Sequence, residues 1–423
     1  MSKLLFVAVL SLAGVSVPVT EHAHTDIDAV RVWNGFALDA VRATRATDAD
    51  AARLYAMVNV AIYDAVNGLA GSRDRRTHAL VPGPGPRDGD PQAAAAAAAH
   101  AVLVRLDPAR TATYDTRLDA DLARLPGGET GARWGREVGQ AVVTARAGDG
   151  STPVETQGAG TGPGVFRAAW AGVQYRNVRP FAVADPARHV PGPPPALTSL
   201  QYAAAFAEVA ILGDAALPEP DLLATYQFWS LPAGSGQPPG EWLRIGLTVA
   251  ADRHLPLADQ ARLAALLTMA LADTTVATVR TKYTYRHWRP TTAIREADTD
   301  GNPATAPNPA WSARAGSVGG TPEYVSGHSS YSGAGAAVLA GFFCSDAIPF
   351  HHATDSAPGG AARGYPGFAA AAAEAGRSRV YGGQHFEFSN QAGLGVGHGV
   401  AGEVLSTELL RRTGPTHFGA CPR

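Results

Sequence analysis

The sequence predicts an all-α protein: a helical bundle core, in one or two packed bundles, with long irregular Pro/Gly-rich loops. Three observations point there. Ala and Leu dominate the apolar residues and continuous β-branched runs are scarce, which favours helix over strand. Apolar residues recur at helical spacing in one segment after another. Pro and Gly concentrate in tracts without any helical period.

In chain order, Ala29–Thr47, carrying Val30, Val32, Phe36 and Val41, is expected to be a helix, and Ala51–Leu69 a second. Pro82–Pro91 is a loop. Gln92–Leu106 opens with seven consecutive alanines, a strong helix former suited to close packing in the interior. Thr113–Leu125 and Glu129–Ala147 follow as helices. Gly148–Leu197 has no period and is long for a loop, which marks a domain joint or a wrapped functional segment. Helices return at Gln201–Leu212, Pro220–Trp229, Glu241–Ala251 and Leu257–Thr281. Asn302–Tyr324 is a second irregular tract, and Ser329–Phe343, Gly367–Tyr381 and His385–Arg411 are the last helices.

Residues 1–20 have the pattern of a secretory signal peptide: Lys3, an apolar run Leu4–Val17, then Pro18 and Thr20. A secreted or periplasmic protein is the expectation. The body divides into an N-terminal helical region, 21–200, and a C-terminal bundle, 201–423. No later segment holds 18 uninterrupted apolar residues, so no membrane contact is expected beyond the leader. A net charge of −2 argues against bulk binding to nucleic acid. The two cysteines, Cys344 and Cys421, permit one disulfide, expected in an exported chain.

Of 35 basic side chains, only Lys3 and Lys282 are lysine. Lys282 heads a segment that ends at Arg289-Pro290, and seven residues would put both cations on one helical face if the helix ran that far. Pro290 turns the chain there. Ser326-Gly327-His328 precedes a helix, where a hydroxyl and a backbone N–H can cap the helix or cradle an anion. Ser378-Arg379 is followed by Gly382-Gly383 and His385, and the glycine pair would let Arg379 and His385 converge. This inventory lacks the carboxylate and thiolate ligands of zinc, calcium or magnesium sites and the paired carboxylates of glycosidases. It suits a tetrahedral oxyanion, phosphate or vanadate, whose charge of about −2 to −3 three cations offset.

The three blocks, Lys282-x6-Arg289-Pro290, Ser326-Gly327-His328 and Ser378-Arg379-x5-His385, resemble those of the vanadium-dependent haloperoxidases, in the superfamily that also holds type 2 phosphatidic acid phosphatases and bacterial acid phosphatases. Tyr285, Trp288 and Thr292–Arg295 resemble the haloperoxidase branch, as do Met57–Asn67 and Gln227–Ser230 in the N-terminal half. The resemblance implies vanadate as cofactor, or phosphate as the alternative ligand. His385 would bond the metal; Lys282, Arg289, Arg379, Ser326 and the Gly327 N–H would hold the oxygens. His328 would be the acid–base group, and Lys282 would donate to the incoming hydrogen peroxide, making it electrophilic toward halide. Hydrogen peroxide and a halide or small organic substrate are the implied partners. With phosphate instead, His385 would become the nucleophile of an exported acid phosphatase with a phosphohistidine intermediate. A non-turnover oxyanion-binding homologue is the third reading.

The chain departs from the family pattern at four places. Ser389 stands where an Asp usually follows the metal-bound His, with Asn390 beside it; Val279 replaces the halide-pocket Trp; Gly335 replaces the extra histidine of bromoperoxidases; and an Asp supporting an active-site Arg is replaced around Ser230–Pro232. The oxyanion site is expected intact and the halide pocket altered.

Overall fold

A computed structural model describes residues 28–125 and 127–411. Among them are thirteen α-helices, with strand confined to two short antiparallel ladders. In the N-terminal half run α1 (Ala29–Thr44), α2 (Asp48–Leu69), α3 (Pro91–Leu106), α4 (Thr111–Ala123) and α5 (Glu129–Arg146). After the long irregular tract come α6 (Leu200–Leu212), α7 (Pro220–Phe228), α8 (Gln237–Asp252), α9 (Leu257–Tyr285), α10 (Pro290–Arg295), α11 (Gly327–Phe343), α12 (Phe368–Tyr381) and α13 (Glu387–Thr407). The leader expected over 1–20 and the Cys421 end of the expected disulfide lie outside the described residues.

The alanine run does what its composition suggests. Ala93–Ala99 are all fully buried. Facing them, α5 presents Gly131, Gly135 and Gly139, one helical turn apart. A Cβ at Gly135 would stand 2.2 Å from the Ala94 carbonyl oxygen, and one at Gly139 would stand 2.6 Å from that of Ala98. Small residues on both helices thus let the backbones touch. The same device joins α11 to α13: a Cβ at Gly333 would meet the Leu394 carbonyl at 2.3 Å, and one at Gly397 the Ser330 carbonyl at 2.0 Å. This second contact matters for function, because α11 begins beside His328 and α13 just after His385.

Helix α9 is the axis of the molecule. Its 29 residues make it the one helix among those described that is long and apolar enough to span a membrane, yet it lies buried in the bundle. It packs on α2 from the N-terminal half and on α11 and α13 from the C-terminal half. One hydrophobic cluster runs through both halves, from Ala29 to Leu409.

The tract 148–197 wraps the C-terminal part of α9. Asp273, on that helix, accepts the backbone N–H groups of Phe181, Ala182 and Val183 at 2.7, 2.8 and 2.8 Å. Further along, Phe166 donates to the Arg286 carbonyl and Trp288 donates to that of Gly164. Tyr285 and Tyr324 donate their hydroxyls to Pro191 and Gly192. The tract is ordered against the segments that carry Lys282, Arg289 and Glu323, which accounts for its length without secondary structure.

Candidate active site

The cations converge from separate elements. Lys282 sits in the last turn of α9, which stops at Arg286 in the left-handed region (φ 49°). Arg289 is not on that helix. It caps α10 with extended backbone (ψ 155°), and Pro290 takes the first position, where its missing N–H costs nothing. The expected shared helical face is therefore replaced by a turn that swings Arg289 back toward Lys282. Helix α10 itself, six residues long, is too short for a helical period to show in the sequence.

Arg379 lies in the last turn of α12, and Gly382 and Gly383 (φ 71°) reverse the chain so that the His385 N–H reaches the Arg379 carbonyl. Gly327 and His328 open α11. Lys282, Arg289, Arg379, Gly327, His328 and His385 line one cavity of about 330 Å³, together with Tyr226, Gln384 and the loop Ser317–Thr321.

Ser326 is placed differently from expectation. It is the N-cap of α11, fully buried; its Oγ accepts from the Ser329 N–H at 3.3 Å, and its hydroxyl shares a hydrogen bond with that of Ser329 at 2.8 Å. It is not among the residues lining the cavity. Its hydroxyl serves the helix end, leaving the Gly327 N–H as the backbone donor there.

The tautomer of His385 follows from its neighbours. The Arg289 guanidinium can only donate, and its Nη1 is 2.9 Å from His385 Nε2, so Nε2 carries the lone pair. Nδ1 then bears the proton and donates to Glu323 Oε1 at 2.9 Å. The same oxygen accepts the Phe386 N–H at 3.0 Å. Glu323 is fully buried, and no motif pointed to it. It supplies the carboxylate that is missing at Ser389. The Ser389 hydroxyl is 3.5 Å from His385 Nδ1 and donates to the Glu323 carbonyl at 3.2 Å, while Asn390 accepts from Ser329 and does not touch His385. Burial pushes the Glu323 carboxyl up to about 7, against the pull of Arg289.

The remaining departures have equally local explanations. Arg379 has no carboxylate partner among the described residues. The Trp229 carbonyl and Gln384 Oε1 accept from it, and its guanidinium stacks 5.1 Å over the Tyr226 ring. Val279 is turned to Phe166, Trp170 and Val173 of the wrapped tract and does not line the cavity. A Cβ at Gly335 would stand 2.3 Å from the Trp242 ring, so a histidine has no room there.

The electrostatics of the cavity are set by burial and by its own cations. Burial, reinforced by Arg289, holds the Lys282 ammonium and the His385 imidazole well below their usual ranges. Burial and Arg379 do the same to His328. Lys282 Nζ donates to the Pro322 and Glu323 carbonyls, which leaves one of its three N–H groups uncommitted. Arg379 Nε is buried without a hydrogen-bond partner. Such a donor is costly unless an acceptor completes it. A tetrahedral oxyanion among these donors, with the His385 Nε2 lone pair beside it, satisfies them; a hard divalent cation finds no acidic cluster among the described residues. The donor set therefore fits vanadate or phosphate.

Residues 262–411 match the model of the VCPO second helical-bundle domain. No curated protein sequence matches the chain. Among solved structures, the first bacterial vanadium-dependent iodoperoxidase superposes with a TM-score of 0.76 at 21% identity, over 92% of this chain and 98% of that one. A holo-type bacterial vanadium-dependent chloroperoxidase superposes with a TM-score of 0.64 at 18% identity, over 92% and 95% of the two chains. The apo-type form gives 0.63 at 17%, over 84% and 91%. Residues 262–411 thus carry the VCPO second helical-bundle domain, and the chain shares the fold of the bacterial vanadium-dependent iodo- and chloroperoxidases.

Proposed function

We propose that the chain is an exported, vanadate-dependent haloperoxidase-like enzyme that uses hydrogen peroxide to oxidise halide. The observation that carries this reading is the convergence of Lys282, Arg289, Arg379, Gly327, His328 and His385 on one cavity, with the partnerless Arg379 Nε among them.

Bound vanadate would supply a Lewis-acidic centre that activates peroxide toward a halide nucleophile. The protein's part is positional and electrostatic. His385, held in one tautomer by Glu323, would present Nε2 as the ligand atom, its lone pair exchanging the Arg289 N–H that it accepts here for the bound group. Arg289 and Arg379 offset the oxyanion's charge from fixed positions. Arg289 is braced by the Thr321 and Gln384 carbonyls at 2.8 Å each, so its guanidinium keeps its place when its contact with His385 gives way to the oxyanion. His328 donates Nε2–H to the Ser230 carbonyl at 3.3 Å, which leaves Nδ1 free to take a proton from incoming peroxide. The low basicity of a buried His328 suits a group that releases that proton again. Lys282 supplies a compact donor to an oxygen atom in the cavity.

The test is reconstitution with orthovanadate, followed by peroxide-dependent iodination and bromination of a phenol dye, against p-nitrophenyl phosphate hydrolysis without vanadate. Halide oxidation is expected, and phosphate-ester hydrolysis alone would make the site an acid phosphatase. His385→Ala should lose vanadate retention. His328→Ala should keep it and lose roughly 10²–10⁴-fold in turnover. Normal rates in the His328 variant would reduce that residue to part of the helix start.

A further inference from the structure

The cavity that gathers the cations has one acidic side chain on its wall, Asp48. It comes from the other half of the molecule, as the first residue of α2. The helix does not need it as a cap, because the Thr47 hydroxyl already accepts the Asp50 N–H at 3.1 Å. Asp48 Oδ1 accepts the adjacent Ala49 N–H at 2.9 Å. Oδ2 lies 3.7 Å from the point where a Cβ on Gly327 would stand, beside the first turn of α11. The side chain is half-buried and forms no ion pair among the described residues. Lys282 feels its charge but commits its ammonium to the Pro322 and Glu323 carbonyls.

One carboxylate oxygen is thus left facing a cavity otherwise built for an anion. An oxyanion gains nothing from a negative wall. The cavity's volume, about 330 Å³, falls in the range of about 300–1,000 Å³ typical of small organic ligands, so it has room for more than a tetrahedral ion. The result is a bipolar pocket, cationic around His385 and acidic at α2.

We propose that Asp48 is a specificity-determining residue that favours small organic co-substrates bearing a protonated amine and disfavours anionic ones. The inference rests on the oxyanion reading only in placing phosphate or vanadate at the cationic pole. The ammonium of such a co-substrate pairs with the free Oδ2, and the rest of the molecule lies toward His328 and Lys282, where oxidant would be produced.

Calorimetric titration with tyramine and with 4-hydroxyphenylacetate, which share a phenol and differ in charge, tests this on the full-length protein with and without inorganic phosphate. The wild type should prefer tyramine. Asp48→Asn, which keeps shape and leaves the Thr47 cap intact, should shift the tyramine-to-carboxylate affinity ratio by about fivefold toward the anion, the size of a partly solvated ion pair. An unchanged ratio in Asp48→Asn, or a wild-type preference for the carboxylate, would overturn the assignment. Phosphate affinity is read in the same titrations. Failure to bind phosphate defeats the oxyanion reading, while the charge ratio measured without phosphate still decides the role of Asp48.

Discussion

Replacing Glu323 with glutamine removes one charge and almost no volume at the point where His385 is held. In the native arrangement Glu323 Oε1 accepts from His385 Nδ1 at 2.9 Å and from the Phe386 N–H at 3.0 Å. A hydrogen bond to an ionised acceptor is worth about 1.5–3 kcal/mol, and one to a neutral acceptor about 0.5–1.5 kcal/mol. The glutamine carbonyl can keep both bonds, so the fold should survive with a loss of about 1–2 kcal/mol. The His385 ring then loses the charge that raises its basicity as a ligand. Changes to partners of metal-binding histidines typically cost about 10–100-fold in affinity, and the conservative change should sit near tenfold. Vanadate and phosphate affinities should be measured by calorimetry at about pH 8, where a Glu323 carboxyl raised to about 7 is ionised, with a thermal melt as folding control. A second substitution isolates the cause. The Ser389 hydroxyl already stands 3.5 Å from His385 Nδ1, so Ser389→Asp in the Glu323→Gln background should restore most of the affinity. If Glu323→Gln binds vanadate within twofold of wild type, or Ser389→Asp rescues nothing, the claim that this carboxylate positions the ligand histidine is wrong.

Three further outcomes follow from neighbouring geometry. Lys282→Arg keeps the charge but puts a larger, planar group into a slot that is 5% exposed and shaped around two carbonyl acceptors; peroxide-dependent halide oxidation should fall roughly 10–100-fold, and wild-type rates would refute the need for a compact donor. Gly319, at φ 94°, lies against the Arg289 guanidinium, and a Cβ there would be 2.7 Å from Arg289 Cζ. Gly319→Ala should therefore weaken phosphate binding roughly tenfold by strain and displacement, and unchanged affinity would show that the loop yields instead. His287 is buried beside Glu323, and burial lowers it from 6.5 to about 4. The unfolded chain takes up this proton near pH 6.5 while the folded chain does not until about pH 4, so the contribution is complete above 6.5 and is lost as pH falls. Between about pH 7 and about pH 4.5 the loss is about 2.5 kcal/mol. Urea midpoints should show that difference shrinking by this amount in His287→Asn, whose amide can keep the bond to the Trp288 carbonyl; an equal acid slope in both proteins would place the titration elsewhere.

What could be seen in the sequence was whatever is encoded locally. The seven alanines announce a buried helix because no polar atom needs a partner at those positions, and the three motif blocks announce the candidate site because each packs its chemistry into fewer than ten residues. Pro290 and the Gly382-Gly383 pair even indicate where the chain must turn. What stayed hidden depends on contacts between distant segments. Glu323 reaches His385 across 62 positions from an irregular tract, and a single glutamate there has no period or spacing to distinguish it from a solvated one. Asp48 begins a helix at a position where acidic residues are favoured anyway, so its sequence context explains it fully without a cavity. The Ser326 hydroxyl was open to two uses, cap or cradle, and only the Ser329 geometry assigns it to the cap. A weaker signal did exist for the frame that unites these parts. Gly333 in α11 and Gly393 and Gly397 in α13 are the positions that let the two helices meet backbone to backbone. Glycine one turn apart is costly in a helix, by about 1 kcal/mol each, and its repeated presence in two segments that each follow a site histidine argues for a close crossing there. His328 opens α11 and His385 stands just before α13, so that crossing holds together the helices on which both depend. A larger residue at Gly397 should therefore disturb both histidines together, whereas the same change at Gly395, which faces open space, should disturb neither.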